Sequence, residues 1–498
     1  MPNLFRNASW GGASATVRLL FGMGNLFLAI NLAGTVSYGY LTVMLSITAF
    51  YVALINSVHT IAVTHAAELQ RQSDSAHGLD TLFSAVWMVT LVGAVILGST
   101  AFLLGQPFLH AFVYWEGDAL VENQLSQLLV FVVLIAICQI LGAGHVAVIE
   151  SLGRFDLAAK AQLFGPPVVF TLMALSSYSL HKPNIVDVGK FMLVGGVVDL
   201  LLATWLRLKM KHLSSFKPSA KTIRLFPGLL NQGFALQGAN LINIFFDPFN
   251  KFLLNRFIGP ASVSTYEIAT KIVLGIRGLF GGACRTFLQL SSKLSVDGSS
   301  DYLKVLHYGL VPALLMHGIG CVLMVLVSRY WFRGEMEYLS IFYFTLIPSS
   351  IGIIFAGPLY NALIGIRDLG FIFRMHLNLA VLNFIASLML IPFFGLLGAG
   401  IGLSLTTAYN AWAEFHRYSR MIGVIVGFKQ EIQRVAIRAT LALAVSVIAL
   451  LVGYFITDIT DVLIVESVIA AIFLCWLMSE PLSIRIMRVS TGWLGHSS

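Results

Sequence analysis

The chain has 498 residues, of which 57% are hydrophobic and only 11% charged, against roughly 25% charged in an ordinary soluble domain. Its mean hydropathy is +0.85, and the apolar runs continue for about 20 residues at a time. A soluble fold is excluded because it needs a polar exterior. Disorder is excluded because disordered chains are polar and charged. An outer-membrane barrel is excluded because its strands alternate apolar and polar residues. What remains is an all-α polytopic membrane protein.

In chain order, about 14 candidate spans meet the length criterion. Their centres fall near Gly24, Tyr51, Leu91, Ile135, Val169, Val197, Leu236, Leu274, Leu315, Ile351, Asn383, Leu405, Val445 and Ala470. The segment from Leu4 to Trp10 is too short and polar for the core of a cleavable signal, so the first span is expected to act as the insertion signal. Lys and Arg concentrate in alternate connections. One set holds Arg71, Arg154, Lys160, the run from Lys209 to Arg224, Lys293, Lys304, Arg367, Arg374 and the run from Arg417 to Arg438. The loop around Glu116, Asp118 and Glu122 has no basic residue. The positive-inside rule then predicts both termini on the cytoplasmic side. The net charge of +8 is accordingly topological, with no nucleic-acid partner expected. Cys138, Cys284, Cys321 and Cys475 all lie in apolar stretches and lack short spacing. They are expected to pack as small hydrophobes, with neither a disulfide framework nor a metal site.

The longest basic connection, 209–224, divides the chain. It predicts a six-helix lobe at 1–208, a cytoplasmic linker at 209–224, a second six-helix lobe at 225–420, and a further helix pair and tail at 421–498. The two lobes repeat each other weakly. Gly34-Thr-Val-Ser-Tyr38 matches Gly259-Pro-Ala-Ser-Val-Ser-Thr-Tyr266, and Gly153-Arg154-Phe-Asp156 matches Gly365-Ile-Arg367-Asp368. Both members of each pair fall on one side of the membrane, so the repeat is parallel and suits alternating access at the lobe interface.

Ionisable groups inside spans are costly and usually face a cavity. Gln237, Asn240, Asn243, Asp247, Asn250 and Lys251 recur every three or four residues and form one polar helix face. That face is expected to line a polar cavity or to bond a neighbouring helix. Pro248 should break the helix at its end, and Asp247 can pair with Lys251 one turn on. In the next span Glu267 and Lys271 are also one turn apart, and Lys271 and Arg285 share nearly one face, whereas Arg277 does not. Arg18 can either snorkel to the membrane surface or join a cavity. Asp199, His59, His307 and His317 are isolated polar groups, expected to be satisfied packing residues. Glu414 and His416 are expected at the membrane interface. Gly165-Pro166-Pro167 should interrupt the fifth span, and Pro227, Pro312, Pro348, Pro358 and Gly281-Gly282 mark further bends.

The segment Asn250-Lys251-Phe-Leu-Leu-Asn-Arg256-Phe-Ile-Gly259-Pro260, continuing to Tyr266-Glu-Ile-Ala-Thr-Lys271, resembles the seventh-to-eighth-span signature of polysaccharide flippases. These are the O-antigen and exopolysaccharide exporters of the multidrug/oligosaccharidyl-lipid/polysaccharide superfamily. Pro392-Phe-Phe-Gly395-Leu-Leu-Gly398-Ala-Gly400 and Asn361-Ala-Leu-Ile-Gly365 are similar to two further motifs of that family. The resemblance covers about the first 420 residues. It implies a flippase of the bacterial cytoplasmic (inner) membrane that moves an undecaprenyl-pyrophosphate-linked oligosaccharide to the outer leaflet. It also implies a cationic cavity in which Arg18, Lys271 and Arg285 hold the pyrophosphate. Membrane lipids, a polysaccharide polymerase and a chain-length regulator are the implied partners. Asn250 stands where the family pattern has an Asp, so no acidic coupling role carries over to that position.

No Gly-x-x-x-x-Gly-Lys-Ser/Thr loop is present. Transport driven by an H+ or Na+ gradient, or by consumption of the product, is expected without a cofactor and without an enzymatic reaction. Three other readings stay open. A multidrug antiporter would want an acid in the first span, which offers only Arg18, Asn25 and Asn31. A lipid II flippase would share the span count and a basic cavity. A membrane polymerase or ligase would want a long catalytic outer loop.

Overall fold

The computed structural model describes residues 2–46, 49, 52, 66, 75–113, 119–178, 183–210, 246–291, 316–318, 320–321, 323–332, 336, 338–365 and 368–422. Within them the chain is helical. Helix α1 (Pro2–Ala33) runs into Gly34 and then α2 (35–46). Helices α3 (Ser75–Phe112) and α4 (Ala119–Ser151) follow, then the short α5 (Phe155–Ala161), α6 (Gly165–Ser177) and α7 (Ile185–Leu208). In the second half come α8 (Asp247–Phe257), α9 (Pro260–Ser291), a helical stretch ending in a π-turn at Val327–Trp331, α10 (Leu339–Gly365) and α11 (Leu369–Ile422).

Six segments among the described residues are long and apolar enough to cross a bilayer: Thr16–Ala33, Leu79–Pro107, Leu120–Ser151, Phe155–Ser177, Leu339–Gly357 and Gly370–Arg417. Gly370–Arg417 has 48 residues, about 70 Å if straight and more than twice the hydrocarbon thickness. It is folded at Gly395, whose φ of 57° and ψ of −130° are not helical. Both expected crossings, near Asn383 and Leu405, therefore lie within α11. Helices α7 and α9 also stand where the sequence places spans. The centres near Tyr51, Leu236, Leu315, Val445 and Ala470, and the basic run 211–224, lie outside the described residues.

Local chemistry explains the breaks. Pro166 and Pro167 occupy the first turn of α6, where a missing N–H costs nothing. They stop α5 from continuing, so the fifth span is interrupted as expected. Asp247-Pro248 likewise opens α8. Gly34 (φ 84°) and Gly259 (φ 108°), partners in the sequence repeat, both join two helices through a left-handed residue.

In the N-terminal half of the chain α4 packs on α7 and α3, and α6 on α7 and α1; in the C-terminal half α10 packs on α11 and α9. One buried cluster joins them, running from Leu41 and Met44 of α2 through Leu254 and Tyr266 of α8 and α9 to Phe342 and Tyr343 of α10. With lipid tails as apolar as leucine, such contacts hold by packing and not by expulsion of water. Outward-facing positions stay apolar: Phe102 of α3 is 89% exposed and Phe393 of α11 is 83%. In a bilayer these face lipid.

Candidate functional site

The site is assembled where α2 meets α8 and α9. Lys251 of α8 is buried, with its Nζ 2.6 Å from Asp247 Oδ2 and 2.5 Å from Glu267 Oε2 of α9. It also donates to Ser46 Oγ of α2 at 3.0 Å. These three partners match the three ammonium donors. Glu267 uses its other oxygen on Lys271 Nζ, 3.1 Å away. The Tyr38 hydroxyl of α2 bonds Lys271 in turn. Two carboxylates and two ammonium groups thus form one neutral, hydrogen-bonded chain, the arrangement in which buried charges are tolerated. Nearby, Ser264 Oγ of α9 donates to the Thr35 carbonyl at 2.5 Å.

Lys251 is sealed, whereas the Lys271 side chain is 40% exposed. Lys271 opens into a cavity of about 590 Å³ whose remaining walls come from residues between Arg18 and Ala203. Arg18 of α1 lies on the same cavity wall, its Nη1 donating to Gln162 Oε1 at 2.8 Å. The break between α5 and α6 supplies this end of the cavity. Gln162 lies in it, and Asn25 Nδ2 donates to the Pro166 carbonyl at 3.0 Å. Asp199 of α7 accepts the Gly165 N–H at 2.8 Å and sits within electrostatic reach of Arg18. Glu150 completes the ionisable lining. The wall therefore mixes two cations with two acids.

Of the residues singled out in the sequence, Arg18 and Lys271 share this cavity, and Asp247, Lys251 and Glu267 form the ion chain behind Lys271. Asn250 turns the other way. It is fully buried against α11, where its Oδ1 accepts from Ser387 Oγ at 2.5 Å and Asn383 Nδ2 at 3.5 Å. The Arg285 side chain and residues Gln237, Asn240 and Asn243 lie outside what the structure describes. Arg277, off the Lys271 face, donates to Ser349 Oγ at 2.8 Å. His317 is buried between Tyr343 (2.9 Å) and Ser350 (2.7 Å), a satisfied packing residue as expected. Glu414, near the end of the apolar segment Gly370–Arg417, is 1% exposed and packed within the protein. His416 stays exposed, its ring stacked on Trp412. Cys138 and Cys321 are free thiols. No group of three potential metal ligands occurs among the described residues.

Tyr38, Ser46 and Gln162 escaped the sequence reading. Each is an ordinary polar residue whose importance comes from a partner more than 140 positions away.

No protein-family model and no curated protein matches the chain. Solved structures do. An inward-facing multidrug resistance MATE family transporter of the MOP superfamily is similar with a TM-score of 0.62 at 13% identity, over 85% of this chain and 96% of that one. Lipid II flippase MurJ in an inward closed conformation is similar with a TM-score of 0.62 at 14% identity, over 92% and 98%. An outward-facing MATE family transporter gives 0.57 at 13%, over 86% and 96%. At such identities the likeness is one of fold. The chain is a polytopic helical membrane protein with the fold of these transporters and flippases.

Proposed function

We propose that this chain is a flippase that carries the head group of an undecaprenyl-pyrophosphate-linked oligosaccharide across the bacterial cytoplasmic membrane for surface polysaccharide or O-antigen assembly. The observation that carries the reading is the placing of Arg18 and Lys271 on the wall of one cavity of about 590 Å³, within the size range of small-molecule sites. Both keep donors to spare. Arg18 offers five N–H groups and spends two, on Gln162 and the Ser14 carbonyl. Lys271 offers three and gives them to Glu267 and Tyr38 in part. A pyrophosphate presents acceptors to both through charge-assisted bonds. Gln162, Asn25 and Gln139 on the same wall suit sugar hydroxyls. The lobes then part at the α2–α9 seam to present the head group to the other side, while the lipid tail stays in the bilayer. A polymerase and a chain-length regulator act on the product.

A second reading is a cation-coupled multidrug antiporter. Asp199 and Glu150 on the cavity wall favour it, since an organic cation needs an acid to pair with. Deleting the gene and following surface polysaccharide and lipid-linked intermediates separates the two. Under the flippase reading surface glycan is lost and intact intermediates accumulate on the cytoplasmic leaflet. Wild type restores export, and Lys271→Ala at normal protein level does not. Unchanged glycan with drug hypersensitivity establishes the antiporter instead. Accumulated lipid II points to a lipid II flippase, and unpolymerised glycan already outside points to a polymerase or ligase.

A further inference from the structure

Arg207 lies in the last turn of α7. Among the described residues its hydrogen bond goes to a neutral acceptor: Nη1 donates to His145 Nδ1 of α4 at 3.4 Å. His145 Nε2 then carries the ring's proton and donates to Thr204 Oγ1 at 3.0 Å, which donates on to the Leu200 carbonyl at 2.8 Å. The guanidinium also lies over the Trp87 ring of α3, 5.1 Å from its centre, and Trp87 meets His145 edge-on at 4.4 Å. A ring face attracts a cation but cancels none of its charge. Lys209 is held in the same way, its Nζ 3.8 Å from the centre of the Trp205 ring. Among the described residues no carboxylate pairs with either cation. The unbonded nitrogens of Arg207 are open to the surface.

These residues close one end of a groove. Helices α3 and α7 each pack on α4. Gly144 of α4 meets Thr90 of α3, and Gly142 meets Leu200 of α7. Helical spacing places Val130, Leu134 and His145 on the strip of α4 between those two contacts. Val130 and Leu134 are exposed, and so are Leu91 and Val95 of α3 and Val197 and Leu201 of α7. At the end of this apolar strip Arg207 reaches across His145 to Trp87. The groove is separate from the cavity of Arg18 and Lys271, which α4 lines with Gln139, Val146 and Glu150 on another side of the helix.

We infer that this groove holds one anionic phospholipid, with its phosphate on Arg207 and its acyl chains along Leu91, Leu134 and Leu201. Charge complementarity decides the class. A phosphate takes two parallel N–H groups of a guanidinium in charge-assisted bonds, and it brings the negative charge that the protein withholds. A zwitterionic head would also bring an ammonium toward Arg207 and Lys209; an anionic head adds no cation. Trp87 and the His145–Thr204 chain fix the guanidinium at the groove's end before the lipid arrives, which lowers the cost of binding. The bound lipid then ties α3 to α7 across α4. This site rests on neither the flippase nor the antiporter reading.

The test uses the full chain in detergent and reads its thermal midpoint against short-chain phosphatidylglycerol. Short-chain phosphatidylcholine is the zwitterionic probe, and glycerol phosphate the probe without chains. A ligand that binds only the folded state raises the midpoint. Phosphatidylglycerol should raise it saturably and the other two should not. Arg207→Gln should move the half-effect concentration up by about tenfold, the weight of one hydrogen bond to a charged group. Lys209→Gln, outside the groove, should move it far less. Leu134→Trp fills the lipid-facing floor, leaves Arg207 in place and should also weaken the response. It carries the test if Arg207→Gln does not fold. An equal response to phosphatidylcholine overturns the site, as does a response unmoved by Arg207→Gln or by Leu134→Trp. A matching response to glycerol phosphate means an anion site that takes no lipid. Equal losses in Arg207→Gln and Lys209→Gln mean a diffuse field in place of a groove, and either result overturns the inference.

Discussion

At the scale of single residues, Lys251 shows what a membrane interior demands of a charge. Its side chain is 5% exposed and its ammonium meets Asp247, Glu267 and Ser46 at once. Removing one member of a buried ion pair typically costs about 3–5 kcal/mol, because the partner is left unpaired. Glu267→Gln should therefore destabilise the protein by about 3 kcal/mol, read as a shift in denaturant-induced unfolding. The double variant Glu267→Gln/Lys251→Met should recover part of that loss, since the buried ammonium that kept one carboxylate of its two, Asp247, is gone. Equal stability of the single and double variants would mean that Asp247 alone suffices for Lys251. The Glu267–Lys271 pair was legible in the sequence because it is local, one helical turn apart. Ser46 was not, since it lies 205 positions from Lys251. The burial of Glu414 was not legible for a related reason: α11 packs along α10, and no local pattern announces that cover.

At the scale of elements, the helix breaks do the positioning. The proline pair at the head of α6 leaves Gln162 outside regular helix, and so within reach of Arg18. Such breaks could be read directly, because proline chemistry acts on its own turn. The approach of α2 to α9 could not. Gly39 lies so close to Pro260 that an added Cβ would sit 1.9 Å from the Pro260 carbonyl oxygen. Gly39→Val should force these helices apart. The measurement is cross-linking between Thr35→Cys and Ser264→Cys with a short thiol reagent, with the four native cysteines replaced by alanine. The Gly39→Val variant should cross-link severalfold less than its parent; equal yields would mean that the helices accommodate the side chain by sliding.

At the scale of the molecule, helical class and membrane character followed from composition, and the placement of α1, α3, α4, α6, α7, α9, α10 and α11 followed from apolar runs. The way the two halves of the sequence share a core did not, because Leu41, Leu254 and Phe342 meet only when distant segments pack. The same packing fixes the cavity, whose described walls come from residues between Arg18 and Ala203 together with Lys271.

The division of labour along the seam has one more consequence. All four charges of the ion chain, Asp247, Lys251, Glu267 and Lys271, belong to α8 and α9. Among the described residues the opposite face gives the Tyr38 and Ser46 hydroxyls and the Thr35 carbonyl. Under the proposed function, a motion that parts the two faces carries every positive charge of the chain along with its negative partner. Among the described residues no ion pair spans this seam, and the bonds that cross it end on hydroxyls or a carbonyl, whose place water can take. The seam can be closed tightly while its salt bridges all stay on one side.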